Sequence, residues 1–387
     1  MNDVEVIKSD QPPLSFEIVP ESSEELQKRI KIEKIISNSF NQNISLEVLK
    51  LLSISSFGLV NDNLRRILWP CLAGVDASML ERVPSLNEFQ NHHEYNQVVL
   101  DVNRSLKRFP PGIPYKQRIA LQDQLTVLIL RVIKKYPNLR YYQGYHDVAV
   151  TFLLVAGEEV AYAIMDKLST THFSECMQET MEATQKRLMF IWPVIKFENA
   201  ELYEFLQSSS VGTLFSLPWY LTWFGHSLNS YKTVVRLYDY FLASPIYTPI
   251  FLTAAILLHR CKEILEEDCD MAAVHCLISR LPEDLPFEDL IKASTKLYAK
   301  YSLEFLENEV EKLMHQEREQ RLMEEKMLLE RRKKITRSVI KPPNFDINRW
   351  FSNILTSKSV LLTTAISLVV GVCAYYYKNQ YLAAGIS

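Results

Sequence analysis

Two short clusters in this 387-residue chain combine residue types that do chemistry in proteins. The first is Asp101-x-x-Arg104. Around it Tyr95, Val99, Val102, Leu106 and Phe109 recur at i, i+4, i+7, i+11 and i+14, an apolar stripe at helical spacing. At the α-helical repeat, Arg104 falls about 180° from the centre of that stripe. Asp101, three residues earlier, is near enough to hold the guanidinium by a charge-assisted bond. Arg104 is therefore expected to project away from the core as a cation steadied by a carboxylate, although the same spacing suits an ordinary solvated arginine. The second cluster is Tyr141-Tyr142-Gln143-Gly144-Tyr145, placed in a loop by the preceding Pro137 and Asn138. Glycine beside glutamine lets the backbone approach a partner closely, and three tyrosines in five residues mean core packing or a contact surface. His146-Asp147 follows and suggests general-base chemistry. Helix neighbours face different directions, so this pair reads as structural.

The elements that must position these residues are helical. From residue 24 to 302 helical periods succeed one another, broken by proline, asparagine or serine, and no long alternating strand pattern competes. The pattern predicts single helices over Glu88–Arg108, Phe173–Lys196, Leu214–Leu228 and Thr248–Glu266, and shorter ones elsewhere, among them Tyr115–Lys135 and Tyr231–Ala243. The fold class expected is all-α, in two helical subdomains, with residues 1–23 polar and disordered. Residues 303–340 alternate in charge and read as a solvated helical spacer rather than a sustained coiled coil. Pro342-Pro343 breaks it, and Ile347, Trp350, Phe351 and Ile354 suggest a short interfacial helix within 341–358.

From Ser359 to Tyr377 no residue is charged, and Lys358 and Lys378 fence the stretch. As a helix it spans roughly 27–29 Å, the hydrocarbon thickness of a thin bilayer. Tyr375, Tyr376 and Tyr377 stand where an interfacial aromatic belt forms. The amino end has no apolar h-region, so no cleavable signal is expected. Basic residues crowd before the span, from Arg331 to Lys358, and Lys378 alone follows it. The expectation is a single C-terminal transmembrane anchor over 359–377, a cytosolic amino-terminal part and a short lumenal tail over 378–387.

Composition excludes several functions. There are nine glycines, and neither a P-loop, a dinucleotide-binding G-x-G-x-x-G nor a G-x-S-x-G elbow occurs. The chain is not expected to hold a nucleotide or any cofactor itself. A net charge of −3 and a pI near 6.3 argue against nucleic acid as a partner. The six cysteines are scattered, as suits reduced thiols. His259, Cys261, Cys269, His275 and Cys276 lack zinc spacing and read as core residues, with no metal.

Taken together, the clusters resemble the TBC-domain Rab GTPase-activating proteins. That family's I/V-x-x-D-x-x-R is met as Val98-x-x-Asp101-x-x-Arg104, and its Y-x-Q-G as Tyr141-Tyr142-Gln143-Gly144. The upstream R-x-x-x-W is met by Arg65 and Trp69. Trp219, Trp223 and Phe224 resemble the tryptophan-rich segment, and Val235-Arg236-Leu237-Tyr238-Asp239 the R-I-W-D segment, with Tyr238 in place of tryptophan. The resemblance covers about 61–289. It implies a protein that is no GTPase itself but activates one, a Rab in the GTP state that brings its own GTP and Mg²⁺. Arg104 would then act in trans on the γ-phosphate and Gln143 would orient the attacking water. Asp101 would hold Arg104, Tyr141 and Gly144 would shape the glutamine loop, and Arg65 and Trp69 would supply packing. With the C-terminal anchor, the resemblance further implies attachment to the endoplasmic reticulum and a Rab of ER-to-Golgi traffic. The rival expectation is a membrane-anchored adaptor that binds a Rab without catalysis; the intact Asp101, Arg104 and Gln143 speak against it.

Overall fold

Helix starts follow from side chains that satisfy first-turn amides. Asn61 accepts from the Leu64 amide at 3.1 Å, Asn199 from Leu202 at 2.9 Å, and Asp270 from Ala272 and Ala273 at 2.9 and 3.2 Å. Ser22 and Glu25 exchange bonds of 2.8 and 3.1 Å in a reciprocal box.

The computed structural model describes residues 21–38, 45–75, 83–105, 114–339 and Gly371. Among these the α-helices are α1 (Ser23–Asn38), α2 (Leu46–Ile54), α3 (Asp62–Ala73), α4 (Tyr95–Ser105), α5 (Tyr115–Lys135), α6 (Tyr145–Ala156), α7 (Glu158–Thr170), α8 (Glu182–Leu188) and α9 (Ile191–Glu198). They continue as α10 (Ala200–Ser208), α11 (Leu217–Leu221), α12 (Tyr231–Ala243), α13 (Thr248–His259), α14 (Cys261–Leu265), α15 (Met271–Ile278), α16 (Phe287–Lys300) and α17 (Leu303–Val339). No strand occurs among the described residues. The expected all-α class is what the chain adopts.

Two helices are buried on nearly every side and organise the rest. Helix α6 is buried at Tyr145, His146 and throughout Val148–Leu153, and packs against α3, α5 and α7. Helix α13 is buried from Thr248 through Leu257 and packs against α9, α11 and α16. A helix covered all round belongs at the centre of a core rather than at its surface. An aromatic cluster ties α3, α6 and α12 together: Trp69 meets Phe152 at 5.2 Å, Phe152 meets Tyr238 at 5.2 Å, and Trp223 meets Tyr238 at 5.4 Å. The chain through Leu313 forms one compact unit where the sequence suggests two subdomains.

Four predicted long helices are broken, each for a local reason. Over 173–196, α9 restarts at Ile191 so that Pro193 falls in its first turn, where a missing N–H costs no helical bond. Over 248–266, Arg260 separates α13 from α14 and sends its guanidinium to the Leu277 and Arg280 carbonyls at 3.1 and 2.9 Å. Over 88–108, Ser85 and Glu88 cap a 3₁₀ turn, Leu86–Phe89, and α4 begins only at Tyr95. Over 214–228, the left-handed residues Trp223 and Phe224 (φ 47° and 66°) end the helical path. The group from His259 to Cys276, read as core, reaches the surface, since Cys269 and Cys276 are exposed.

The first turns of α17 belong to this unit, with Leu306 and Val310 fully buried and Glu307 paired to Arg187 at 3.0 Å. From Met314 a second unit begins. There α17 is exposed from His315 to Lys334, with intrahelical pairs such as His315–Glu319 at 3.6 Å. No helix among the described residues is long and apolar enough to cross a membrane. The segments read as an interfacial helix, 341–358, a membrane anchor, 359–377, and a lumenal tail, 378–387, lie outside the described residues apart from Gly371, as do residues 1–20 of the expected disordered start.

Candidate functional site

The arginine comes from α4. Val98 and Val102 are fully buried on this helix, and Asp101 lies beside them with 1% of its surface exposed. The buried face is thus centred nearer Val98 and Asp101 than the stripe through Tyr95 and Val99 suggests. A buried carboxylate must be hydrogen-bonded, and this one is. It accepts from Gln97 Nε2 at 3.0 Å and from the Tyr141 hydroxyl at 3.1 Å, and it is ion-paired with Arg104. The Arg104 side chain itself is 63% exposed. The result is a cation at the surface whose anchor lies in the core.

The glutamine comes from the turn that leads into α6. Tyr142 is buried and donates to the Leu221 carbonyl at 2.9 Å, and Tyr145 meets Ser169 Oγ at 2.6 Å. Gln143, between them, is exposed. Gly144 follows at φ +114°, and a Cβ there would come within 2.9 Å of Thr222 Cγ2. Both conformation and space therefore require glycine at this position. Tyr141 lies over the loop with its hydroxyl between Asp101 and His146 Nδ1 (2.8 Å). Burial, then the neighbouring Asp101 charge, raise its phenol far above the usual range, so it stays protonated and can donate.

Arg104 and Gln143 line one pocket of about 730 Å³. Asp101, Gly144, His146 and Asp147 share its wall. The rest of the lining is Leu217, Pro218, Leu221, Thr222, Gly225, His226, Leu228 and Asn229. This wall is absent from the sequence reading. It depends on the turn after α11, where Tyr238 donates to the Thr222 carbonyl at 3.3 Å and the His226 amide donates to Thr222 Oγ1 at 3.2 Å. The signal for it is Gly225-His226 closing an aromatic run. His146 and Asp147 also depart from expectation. They do not diverge: His146 Nε2 lies 3.5 Å from Asp147 Oδ1, and Asp147 Oδ2 lies 2.9 Å from His226 Nδ1.

Arg65 and Trp69 do not line the pocket. They converge with the Leu59 amide on Asp239, which is wholly buried. The distances are 3.1 and 3.0 Å from Arg65 Nε and Nη2, 2.8 Å from Trp69 Nε1 and 2.9 Å from Leu59 N. Arg236 binds Glu288 and the Ser53, Ile54 and Ser55 carbonyls nearby. This network holds α2, α3 and α12 together.

The pocket offers a held guanidinium and an exposed amide in one lining. That pair suits charge neutralisation and the orienting of a water molecule on a ligand brought from outside. Among the described residues no group of three His, Cys, Asp or Glu side chains is arranged to hold a metal ion.

Residues 62–265 match the sequence profile of the Rab-GTPase-TBC domain. The chain is 47% identical over 253 residues to human TBC1 domain family member 20, covering 65% of this chain and 63% of that protein. It is 44% identical over 275 residues to the bovine protein of the same name, covering 71% and 68%. It is 31% identical over 258 residues to the GTPase-activating protein gyp10 of Schizosaccharomyces pombe, covering 65% and 68%. The fold is similar to the crystal structure of the Ypt/Rab-GAP domain of Gyp1p, with a TM-score of 0.58 at 16% identity over 71% of this chain and 98% of that one.

Proposed function

The chain belongs to the Rab-GTPase-TBC domain family, and from that premise we propose that it accelerates GTP hydrolysis on a Rab GTPase by lending Arg104 and Gln143 in trans. The observation that carries this reading is that both line one pocket, with the exposed Arg104 tied to a carboxylate that is 1% exposed. A Rab supplies the nucleotide and Mg²⁺, so the activator needs no phosphate loop or cofactor of its own. What it adds is electrostatic and positional: Arg104 offsets charge developing on the transferred phosphoryl group, and Gln143 orients water. Asp101 fixes the guanidinium, and Gly144 lets the loop sit against Thr222. Arg65 and Trp69 support the fold through their bonds to Asp239 and take no part in the chemistry.

The test is single-turnover GTP hydrolysis across a panel of Rabs. Gln143→Ala is expected to slow the stimulated reaction at least about a hundredfold, with the fold unchanged by circular dichroism. Binding of GTP-loaded Rab without any acceleration by the wild type would instead establish the adaptor.

We further place the work at the endoplasmic reticulum, on a Rab of ER-to-Golgi traffic, with 359–377 as the anchor; the uncharged, lysine-fenced stretch supports this. An anchor confines the pocket to the surface that holds lipidated Rabs and so raises their effective concentration. Deleting residues 345–387 should therefore leave acceleration of a soluble Rab intact and sharply reduce it, at the same low activator concentration, for a Rab tethered to liposomes. Equal rates on liposomes with and without the deletion would refute the anchor's role.

A further inference from the structure

Behind Arg104 runs a chain of polar contacts. It leads from Asp101 to the Tyr141 hydroxyl (3.1 Å), to His146 Nδ1 (2.8 Å), from His146 Nε2 to Asp147 Oδ1 (3.5 Å), and from Asp147 Oδ2 to His226 Nδ1 (2.9 Å).

Counting hydrogens along the chain gives His146 a task. The Asp101 carboxylate, already receiving Gln97 and Arg104, only accepts, so the hydrogen on its contact with Tyr141 is the phenol's. Tyr141 has one hydrogen. Once that is committed to Asp101, its oxygen must accept from His146, which requires a hydrogen on Nδ1. A neutral ring with its hydrogen there turns a lone pair on Nε2 towards the Asp147 carboxylate. The other neutral tautomer suits Asp147, but its Nδ1 then takes the Tyr141 hydrogen, and Asp101 loses one of its donors. Only the imidazolium serves both neighbours.

We propose that His146 is a positioning residue for Arg104: its Nδ1 hydrogen commits the Tyr141 hydroxyl to Asp101, and protonation of the ring tightens that hold. This rests on the functional reading above. His146 is 6% exposed, so it acts through Tyr141 rather than on a bound partner. The charged and titratable groups facing it are Asp147, Asp101, His226, Arg104 and Tyr141. Burial lowers its pKa below the usual 6.5, and His226 and Arg104 act in the same direction, against Asp147 and Asp101. The fully bonded chain therefore fills in only on acidification below the range of an ordinary histidine, and stimulated hydrolysis should rise with it.

The experiment uses the full chain and an activated Rab from the panel. His146→Phe is expected to lower the maximal stimulated rate roughly tenfold while the half-saturating concentration of activator stays within about twofold. His146→Gln, whose amide can still donate to Tyr141, should recover most of that rate but lose the wild-type rise on acidification. In parallel, imidazole ¹⁵N shifts of histidine-labelled protein should show His146 carrying its hydrogen on Nδ1 at neutral pH. An unchanged maximal rate in His146→Phe, a pH rise retained in His146→Gln, or a ring with hydrogen on Nε2 alone would each overturn the proposal. If the wild type accelerates no Rab, the functional reading falls and this proposal with it. An Nε2–H ring in a protein that does activate a Rab overturns this proposal alone.

Discussion

Arg104→Ala is expected to cut Rab GTP hydrolysis stimulated by this protein by about 10³–10⁵, the scale of a lost arginine finger, or roughly 4–7 kcal/mol of transition-state stabilisation. The geometry explains why the loss should fall on chemistry rather than on folding. The side chain is 63% exposed, and the burial of α4 rests on Val98 and Val102. Asp101 keeps its bonds to Gln97 and Tyr141 when the guanidinium is removed. Arg104→Lys should recover little, because an ammonium cannot present a planar fork to phosphate oxygens while keeping its bond to Asp101. Single-turnover rates at saturating activator, with thermal melts as control, measure both effects. A mutant within tenfold of the wild type on every Rab that the wild type activates would end the finger assignment.

Asp239→Ala should have the opposite profile, a large loss of stability with the chemistry intact in the molecules that remain folded. The carboxylate is wholly buried and collects Arg65, Trp69 and the Leu59 amide. Arg65 is itself only 4% exposed. Burial opposes its charge, yet Asp239 beside it raises the guanidinium's hold on its proton, so the cation stays. Removing the anion leaves that cation buried with Asp62 as its remaining carboxylate partner, at 2.9 Å. One-sided removal of a buried pair costs about 3–5 kcal/mol, and four N–H donors lose an acceptor. Urea unfolding should show a midpoint displaced by that amount at constant slope, against little change for the exposed Arg104→Ala. A displacement worth less than about 1 kcal/mol would mean that the network contributes no more than a surface ion pair.

The pairing of these two outcomes reflects how differently the two arginines could be read. Arg65 and Arg104 both sit on helices beside an aspartate three residues away. Spacing alone makes them look alike. What separates them is which face each helix buries, and that depends on partners far along the chain: Asp239 for Arg65, and Tyr141 for the carboxylate that holds Arg104.

Helical periodicity carried the sequence reading far. Tyr115–Lys135 and Tyr231–Ala243 form over the predicted residues, because a 3.6-residue repeat is a property of neighbours in sequence. It failed at breaks such as Trp223 and Phe224. Their left-handed backbone runs against residue preference and is held by surrounding rings, with Phe173 and Phe241 5.1 and 5.4 Å from Trp223. The pocket wall from Leu217 to Asn229 was illegible for the same reason.

By itself the sequence determined the helical class, the outward cation on α4 and the glycine that the glutamine loop needs, since each follows from interactions within a few residues. The burial of Asp101, the convergence of His146, Asp147 and His226, and the wall that shares a pocket with Arg104 and Gln143 were decided only by the tertiary structure. Those features bring together groups far apart in the chain, 79 residues in the Asp147–His226 contact. Whether a polar side chain is buried and satisfied depends on what packs over it, which no local pattern encodes.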